Sequence, residues 1–281
     1  MKSKIDYSLF LPKVIEIIKK AGHEILDVYG WEDYRIKEKQ DKTPITEADR
    51  RSHSMIKEEL TSVRINHGQI KPLPFLSEEG ENIPFDERRQ WDYYWLVDPL
   101  DGTKEFIKKN GEFTVNIALM KRDMPLFGMV FAPVLDVLYF GGKGLGPYRL
   151  EKLLKQKNVN SFKLILNQSI RLVPQYSERD TIRVIGSRSH ISEAFTEYVT
   201  RLKDQYRQVE LLTSGSALKF CRIAEGKADI YPRLGRTMEW DTAAGHALVN
   251  SAGKRVYLYH NRKNELRYNK KELVNPWFIC R

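Results

Sequence analysis

The chain has 281 residues, of which 41% are hydrophobic and 11% aromatic, with a formal net charge of +10. This composition supplies a core and excludes global disorder; no stretch approaches the length of a membrane span, and two cysteines, Cys221 and Cys280, cannot make a disulfide framework. The charge favours anionic partners, although basic residues such as Lys19 and Lys20 read as polar helix edges rather than one binding stripe.

The N-terminus, Met1 to Asp6, lacks the apolar core and cleavage site of a signal peptide. With the sparse cysteines this suggests a reducing cytoplasm. Residues 7–29 carry apolar positions at helical spacing, among them Leu11, Val14, Ile15, Ile18, Ile25 and Val28. Residues 41–46 form a polar turn, and Thr46 looks like an N-cap with Asp49 three residues on, opening a helix through Leu60. Phe75 to Gly80 reads as a short strand that ends in acid at Glu78 and Glu79.

Tyr93 to Val97 reads as a buried strand leading into Asp98-Pro99-Leu100-Asp101-Gly102-Thr103-Lys104. Pro99 pushes Asp98 towards extended geometry, Gly102 allows close backbone approach, and Thr103 can begin a helix. The turn offers hard oxygen ligands beside free helix amides, which suits a cation next to a phosphate. The same residues are also ordinary turn chemistry. Their spacing does not fit an EF-hand loop.

Thr114 to Met120 and Leu126 to Ala132 read as paired strands, and Val137 to Phe140 as another. Residues 141–146 are a Gly-rich turn without the Lys-Ser/Thr of a Walker loop. The pattern weakens over 150–180, the expected boundary between an N-terminal α+β domain, 1–165, and a C-terminal α/β domain, 166–281. Strand and helix then alternate: strand 182–185, helix from the 190s to 203, strand 208–212, helix 216–225, strand 228–231, helix 241–251. Asp49 and Asp241, each near a helix start, suit the helix dipole. The Ala-Ala-Gly stretch behind Asp241 leaves one helix face bare and permits close packing.

Leu76-Ser77-Glu78-Glu79, Trp95 to Phe106 and Trp240-Asp241-Thr242-Ala243-Ala244-Gly245 together resemble, in order and approximate spacing, the signature blocks of the inositol-monophosphatase superfamily of magnesium-dependent, lithium-sensitive phosphatases. The resemblance runs from about residue 8 to 278. Within the superfamily, Asp101 to Leu119, Gly186 to His190, Gly215 to Gly226 and Tyr231-Pro232-Arg233 are most similar to the branch that acts on 3'(2'),5'-bisphosphate nucleotides. Leu211 to Ser214 lack the Arg that inositol monophosphatases tend to carry before the Gly-Ser-Ala block.

The resemblance implies a mixed α/β (α+β) fold, a layered α-β-α-β-α sandwich with the active site between its two parts. It implies that Glu78, Asp98, Asp101, Asp241 and the carbonyl of Leu100 hold two or three magnesium ions. Asp49, Thr103 and Glu78 are the implied catalytic residues, with Thr103 and Asp49 orienting the attacking water. Glu78, Leu100, Asp101, Gly102, Thr103 and Asp241, with His190, Ser216, Lys219 and Arg233, are the implied substrate contacts. The implied reaction is hydrolysis of the 3'-phosphate of adenosine 3',5'-bisphosphate, with 3'-phosphoadenylyl sulfate as a second substrate and a place in sulfur metabolism. An inositol or sugar monophosphatase of the same fold is one alternative; a basic nucleic-acid-binding protein is another, without a module signature to support it. A nucleotide bisphosphate is the expected partner, nucleic acid is not, and the chain is expected as monomer or homodimer. The charge leaves open peripheral contact with the acidic inner-membrane surface.

Overall fold

A computed structural model describes residues 5–38, 44–66, 69, 71–174, 180–187 and 192–281. In chain order its elements are α1 (Leu11–Tyr29), β1 (Lys37–Glu38), β2 (Pro44–Ile45), α2 (Glu47–Leu60), β3 (Phe75–Ser77), α3 (Phe85–Arg88), β4 (Tyr93–Asp101) and α4 (Thr103–Ile107). Then come β5 (Thr114–Lys121), β6 (Met124–Ala132), β7 (Val137–Gly142), β8 (Gly146–Glu151), α5 (Phe162–Gln168) and β9 (Ile170–Arg171). The chain closes with β10 (Thr181–Ser187), α6 (Glu193–Lys203), β11 (Gln208–Ser214), α7 (Leu218–Ala224), β12 (Tyr231–Arg233), α8 (Ala243–Ser251), β13 (Val256–Leu258) and β14 (Phe278–Cys280).

Five layers result. Strands β3 to β9 form one seven-stranded sheet in sequence order, with β3 parallel to β4 and every later pair antiparallel. The pair β10–β11 is parallel, the order β12-β14-β13 is antiparallel, and a parallel bridge from Val184 to Ile230 joins these into a second layer. Helices α1 and α2 cover the outer face of the large sheet, α7 and α8 lie between the sheets, and α6 covers β11 on the far side.

The alternation of strand side chains builds the cores between these layers. On β4, Trp95 and Val97 point into the core under α1 and α2, whereas Tyr94 and Leu96 join the core shared with α7 and α8. With both faces buried, β4 reads as a continuous apolar run rather than an alternating one. A third core, with Ile182, Val184, Val199 and Leu202, lies beneath α6. This is the layered sandwich expected from the resemblance.

Close approach in the middle layer depends on small residues. A Cβ on Gly128 would lie 2.2 Å from the Ala244 carbonyl oxygen, and one on Gly245 would lie 2.5 Å from the Phe220 ring. The bare face behind Asp241 is therefore where α8 meets β6 and α7.

Several elements differ from expectation. β4 does not stop at Val97 but continues to Asp101, paired with β5 on both sides of a register shift between Asp98 and Asp101. Gly141 and Gly142 end β7 and Gly146 begins β8, so only the residues between them turn. The helix expected over 216–225 is Leu218–Ala224, and the strand expected over 228–231 is Tyr231–Arg233. Of the polar turn at 41–46, residues 41–43 lie outside the described residues, and Pro44–Ile45 pairs with Lys37–Glu38. Among the described residues, no helix is long and apolar enough to cross a membrane. Cys221 and Cys280 are both buried and free.

Candidate active site

The parallel pairing of β3 with β4 places their acidic ends side by side. Ser77 is the register partner of Val97, and the Glu78 amide donates to the Val97 carbonyl at 3.2 Å, so Glu78 stands beside Asp98. Asp98 is buried, and its Oδ1 accepts from the Leu100 amide at 3.1 Å, which closes the Pro99 turn. Ser52 on α2 secures that turn from behind, its hydroxyl donating to the Pro99 carbonyl at 2.8 Å. Asp241 arrives from the opposite side, just ahead of α8, with its Oδ2 held by the Met238 amide at 2.9 Å.

One oxygen from each of Glu78, Asp98 and Asp241 lies within 4.8 Å of the others. Asp101 lines the same cavity, and its Oδ2 accepts from Asn116 Nδ2 at 3.3 Å. Burial holds the Asp98 carboxyl well above its usual range, and the charges of Glu78, Asp101 and Asp241 push the same way. Asp241 is raised for the same reasons, burial first and then Asp101 and Glu78. Burial pushes Asp101 up to about 6, against the pull of the Lys219 ammonium. Lys219 is in turn lowered to about 8 by burial, with Asp101 opposing. Hard oxygens gathered at this cost are a donor set suited to small divalent cations, which would let them all ionise together.

Beside the acids sits a second motif. Thr46 caps α2 in a reciprocal capping box: its amide and hydroxyl donate to Asp49 Oδ2 at 2.7 and 2.6 Å. The other oxygen, Asp49 Oδ1, accepts from Thr103 Oγ1 at 3.2 Å. Thr103 begins α4 behind Gly102, whose φ of +94 is open to glycine at little cost.

A cavity of about 860 Å³ joins these groups; Glu78, Asp98, Leu100, Asp101, Gly102, Thr103, Ser216, Lys219, Arg233 and Asp241 all line it. Asp49 is buried behind Thr103. His190 lies outside the described residues. Lys219 is 5% exposed and donates to the carbonyls of Ser216 at 2.6 Å and Ser214 at 3.3 Å. Arg233 is half-buried, with Nη2 donating to the Arg236 carbonyl at 2.7 Å. Sequence reasoning overlooked Asn116, whose signal was a lone amide inside the apolar strand Thr114–Lys121. It also overlooked Arg236 on the cavity wall, which has no motif of its own, and assigned no role to Trp240 beside it although that residue opens a signature block.

Known proteins resemble this chain over most of its length. The model of the inositol monophosphatase family matches residues 6–277. The 3'(2'),5'-bisphosphate nucleotidase CysQ of Salmonella typhimurium is 39% identical over 270 residues, 95% of this chain and 98% of that protein. CysQ of Buchnera aphidicola is 39% identical over 247 residues, 88% of this chain and 83% of that one. The crystal structure of CysQ from Bacteroides thetaiotaomicron superposes with a TM-score of 0.84 at 42% identity, covering 96% of this chain and 95% of that chain.

Proposed function

The chain belongs to the inositol monophosphatase family, and on that premise we propose that it is a magnesium-dependent 3'(2'),5'-bisphosphate nucleotidase, hydrolysing the 3'-phosphate of adenosine 3',5'-bisphosphate to AMP and phosphate. The activity named for the Salmonella and Buchnera relatives supports the substrate. The observation that carries the reading is the meeting of Glu78, Asp98, Asp101 and Asp241, drawn from three separate stretches of the chain, around one cavity.

In this reading Glu78, Asp98, Asp101, Asp241 and the Leu100 carbonyl hold two or three magnesium ions. Magnesium held there would supply Lewis acidity, lowering the pKa of a water and offsetting negative charge on the phosphate and leaving oxygen. The side chains handle the proton. Because Thr103 Oγ1 donates to Asp49 Oδ1, its lone pairs stay open to accept from the attacking water. As that proton reaches Thr103 Oγ1, the threonine's own proton moves to Asp49 Oδ1. Thr46 keeps Asp49 Oδ2 occupied and so fixes which oxygen serves the relay. Lys219 and Arg233 line the cavity, and in this reading their positive charge receives the substrate's second phosphate. Lithium, a small hard cation like magnesium, competes for the same oxygens.

The test is phosphate release from adenosine 3',5'-bisphosphate, with and without magnesium, for the unaltered chain and for Asp101→Asn. The substitution keeps shape and removes charge, and activity falls by at least about two orders of magnitude. Undiminished release in the presence of EDTA would refute the metal dependence. Preference for inositol 1-phosphate would move the substrate to the other branch of the family.

A further inference from the structure

Ser216 has φ +47, a left-handed backbone that a non-glycine residue adopts only where its surroundings impose it. Its Oγ lies 2.8 Å from the Asp101 carbonyl oxygen and 2.9 Å from that of Glu112. The segment around it is pinned twice more. The Gly215 amide donates to Glu112 Oε2 at 2.9 Å, and Lys219 Nζ donates to the Ser216 carbonyl at 2.6 Å. The facing turn is shaped to receive it, since a Cβ on Gly102 would lie 2.3 Å from Ser216 Oγ.

We propose that Ser216 is a positioning residue: its hydroxyl grips the Asp101 carbonyl and thereby sets the Asp101–Gly102–Thr103 turn for cation and phosphate. The family resemblance implies Ser216 as a substrate contact; the role proposed here belongs to its hydroxyl. A hydroxyl owns one proton, and here two main-chain carbonyls already share it. The lone pairs that remain can only accept, so a fully ionised phosphate oxygen finds no proton there. The grip also joins segments distant in sequence, the turn between β11 and α7 and the turn between β4 and α4. Second-layer contacts of this kind orient metal ligands, and their loss costs about 10- to 100-fold in affinity or activity.

The inference rests on the reading of Asp101 as a metal ligand. Ser216→Gly removes the hydroxyl and leaves a residue suited to the left-handed backbone, so folding is not at risk. Magnesium binding is measured by calorimetry, and turnover with adenosine 3',5'-bisphosphate and with p-nitrophenyl phosphate, which has no nucleoside. Ser216→Gly is expected to keep its Tm, weaken magnesium binding about tenfold and lower kcat alike on both substrates, with the nucleotide KM within about twofold. Ser216→Ala gives the same magnesium and kcat losses. A raised nucleotide KM with unchanged magnesium binding and unchanged p-nitrophenyl phosphate turnover would overturn the proposal. So would Ser216→Ala behaving like the unaltered chain. Asp101→Asn is the control: if it binds magnesium normally, the metal assignment fails, whatever Ser216→Gly does.

Discussion

Thr103 and Asp49, 54 positions apart in the chain, meet through a hydrogen bond of 3.2 Å from Oγ1 to Oδ1. The same carboxylate starts helix α2 through its other oxygen. One side chain therefore serves a helix cap and, in the proposed mechanism, the water-activating pair at once.

Thr103→Val preserves volume and removes the hydroxyl. We expect kcat to fall by about 10²- to 10⁴-fold, the usual worth of positioned proton transfer, with magnesium binding unchanged by calorimetry. Asp49→Asn loses activity similarly and, because it also loosens the capping box, lowers stability by about 1 kcal/mol in urea unfolding. Turnover by Thr103→Val within threefold of the parent would remove the relay from the mechanism.

Gly128→Ala puts a methyl where the Ala244 carbonyl already sits, 2.2 Å from the added carbon. Overpacking of this sort costs about 1–3 kcal/mol. Because the obstruction is backbone, α8 must shift, and Asp241 moves with it. A lower urea midpoint with weaker magnesium binding is the expected pair of results; a stable variant with intact binding would show that the helix can yield without moving the acid.

The raised Asp101 carboxyl makes magnesium stabilisation depend on pH. Without metal, the folded chain holds this proton more tightly than the unfolded chain, so the contribution is present at low pH and is lost as pH rises from 3.8 through about 6. Asp98 and Asp241, also raised by burial, add in the same direction. Magnesium binds the ionised form. The rise in Tm on adding magnesium should accordingly be larger at about pH 7.5 than at about pH 5, and thermal melts showing an equal rise at both would contradict this.

Glu225 behaves in the opposite sense. Burial alone would raise its carboxyl, but Arg149, Lys227 and Arg222 outweigh that and hold it below 4.5. Its two oxygens accept from Arg149 at 2.6 Å and Arg222 at 3.0 Å. The stability it lends is full above pH 4.5 and is lost as pH falls through the lower folded value. Urea midpoints of Glu225→Gln and the parent should converge as the solution is acidified; a constant gap would rule this out.

The acids of the site were legible because each stands at or near a break in the pattern: Glu78 after β3, Asp98 and Asp101 on either side of Pro99-Leu100, Asp241 ahead of α8. The layering was legible only through the family resemblance; the buried runs and the later strand–helix alternation by themselves read as a mixed α/β chain. Other features left no local trace. Strand β8 opens on Gly146-Pro147, which reads as a turn, and β9 has only two residues. Strands β13 and β14 are three residues each, and they become strands because β14 pairs with both β12 and β13. β4 runs on past Pro99 because β5 pairs with it on both sides of a register shift, which no local pattern announces. The role of Ser216 was hidden for a similar reason, since the carbonyls it touches come from distant turns.

Asp101 and Asp241 stand on the two flanks of one cavity with the whole of β5 to β12 between them in the chain. A cation gripped by both is then a reversible staple closing a very long loop, and long loops are where such closure removes most freedom from the unfolded chain. Chelation would cut that staple, so the metal-free protein should unfold through its C-terminal layers first and be the more readily clipped by proteases there.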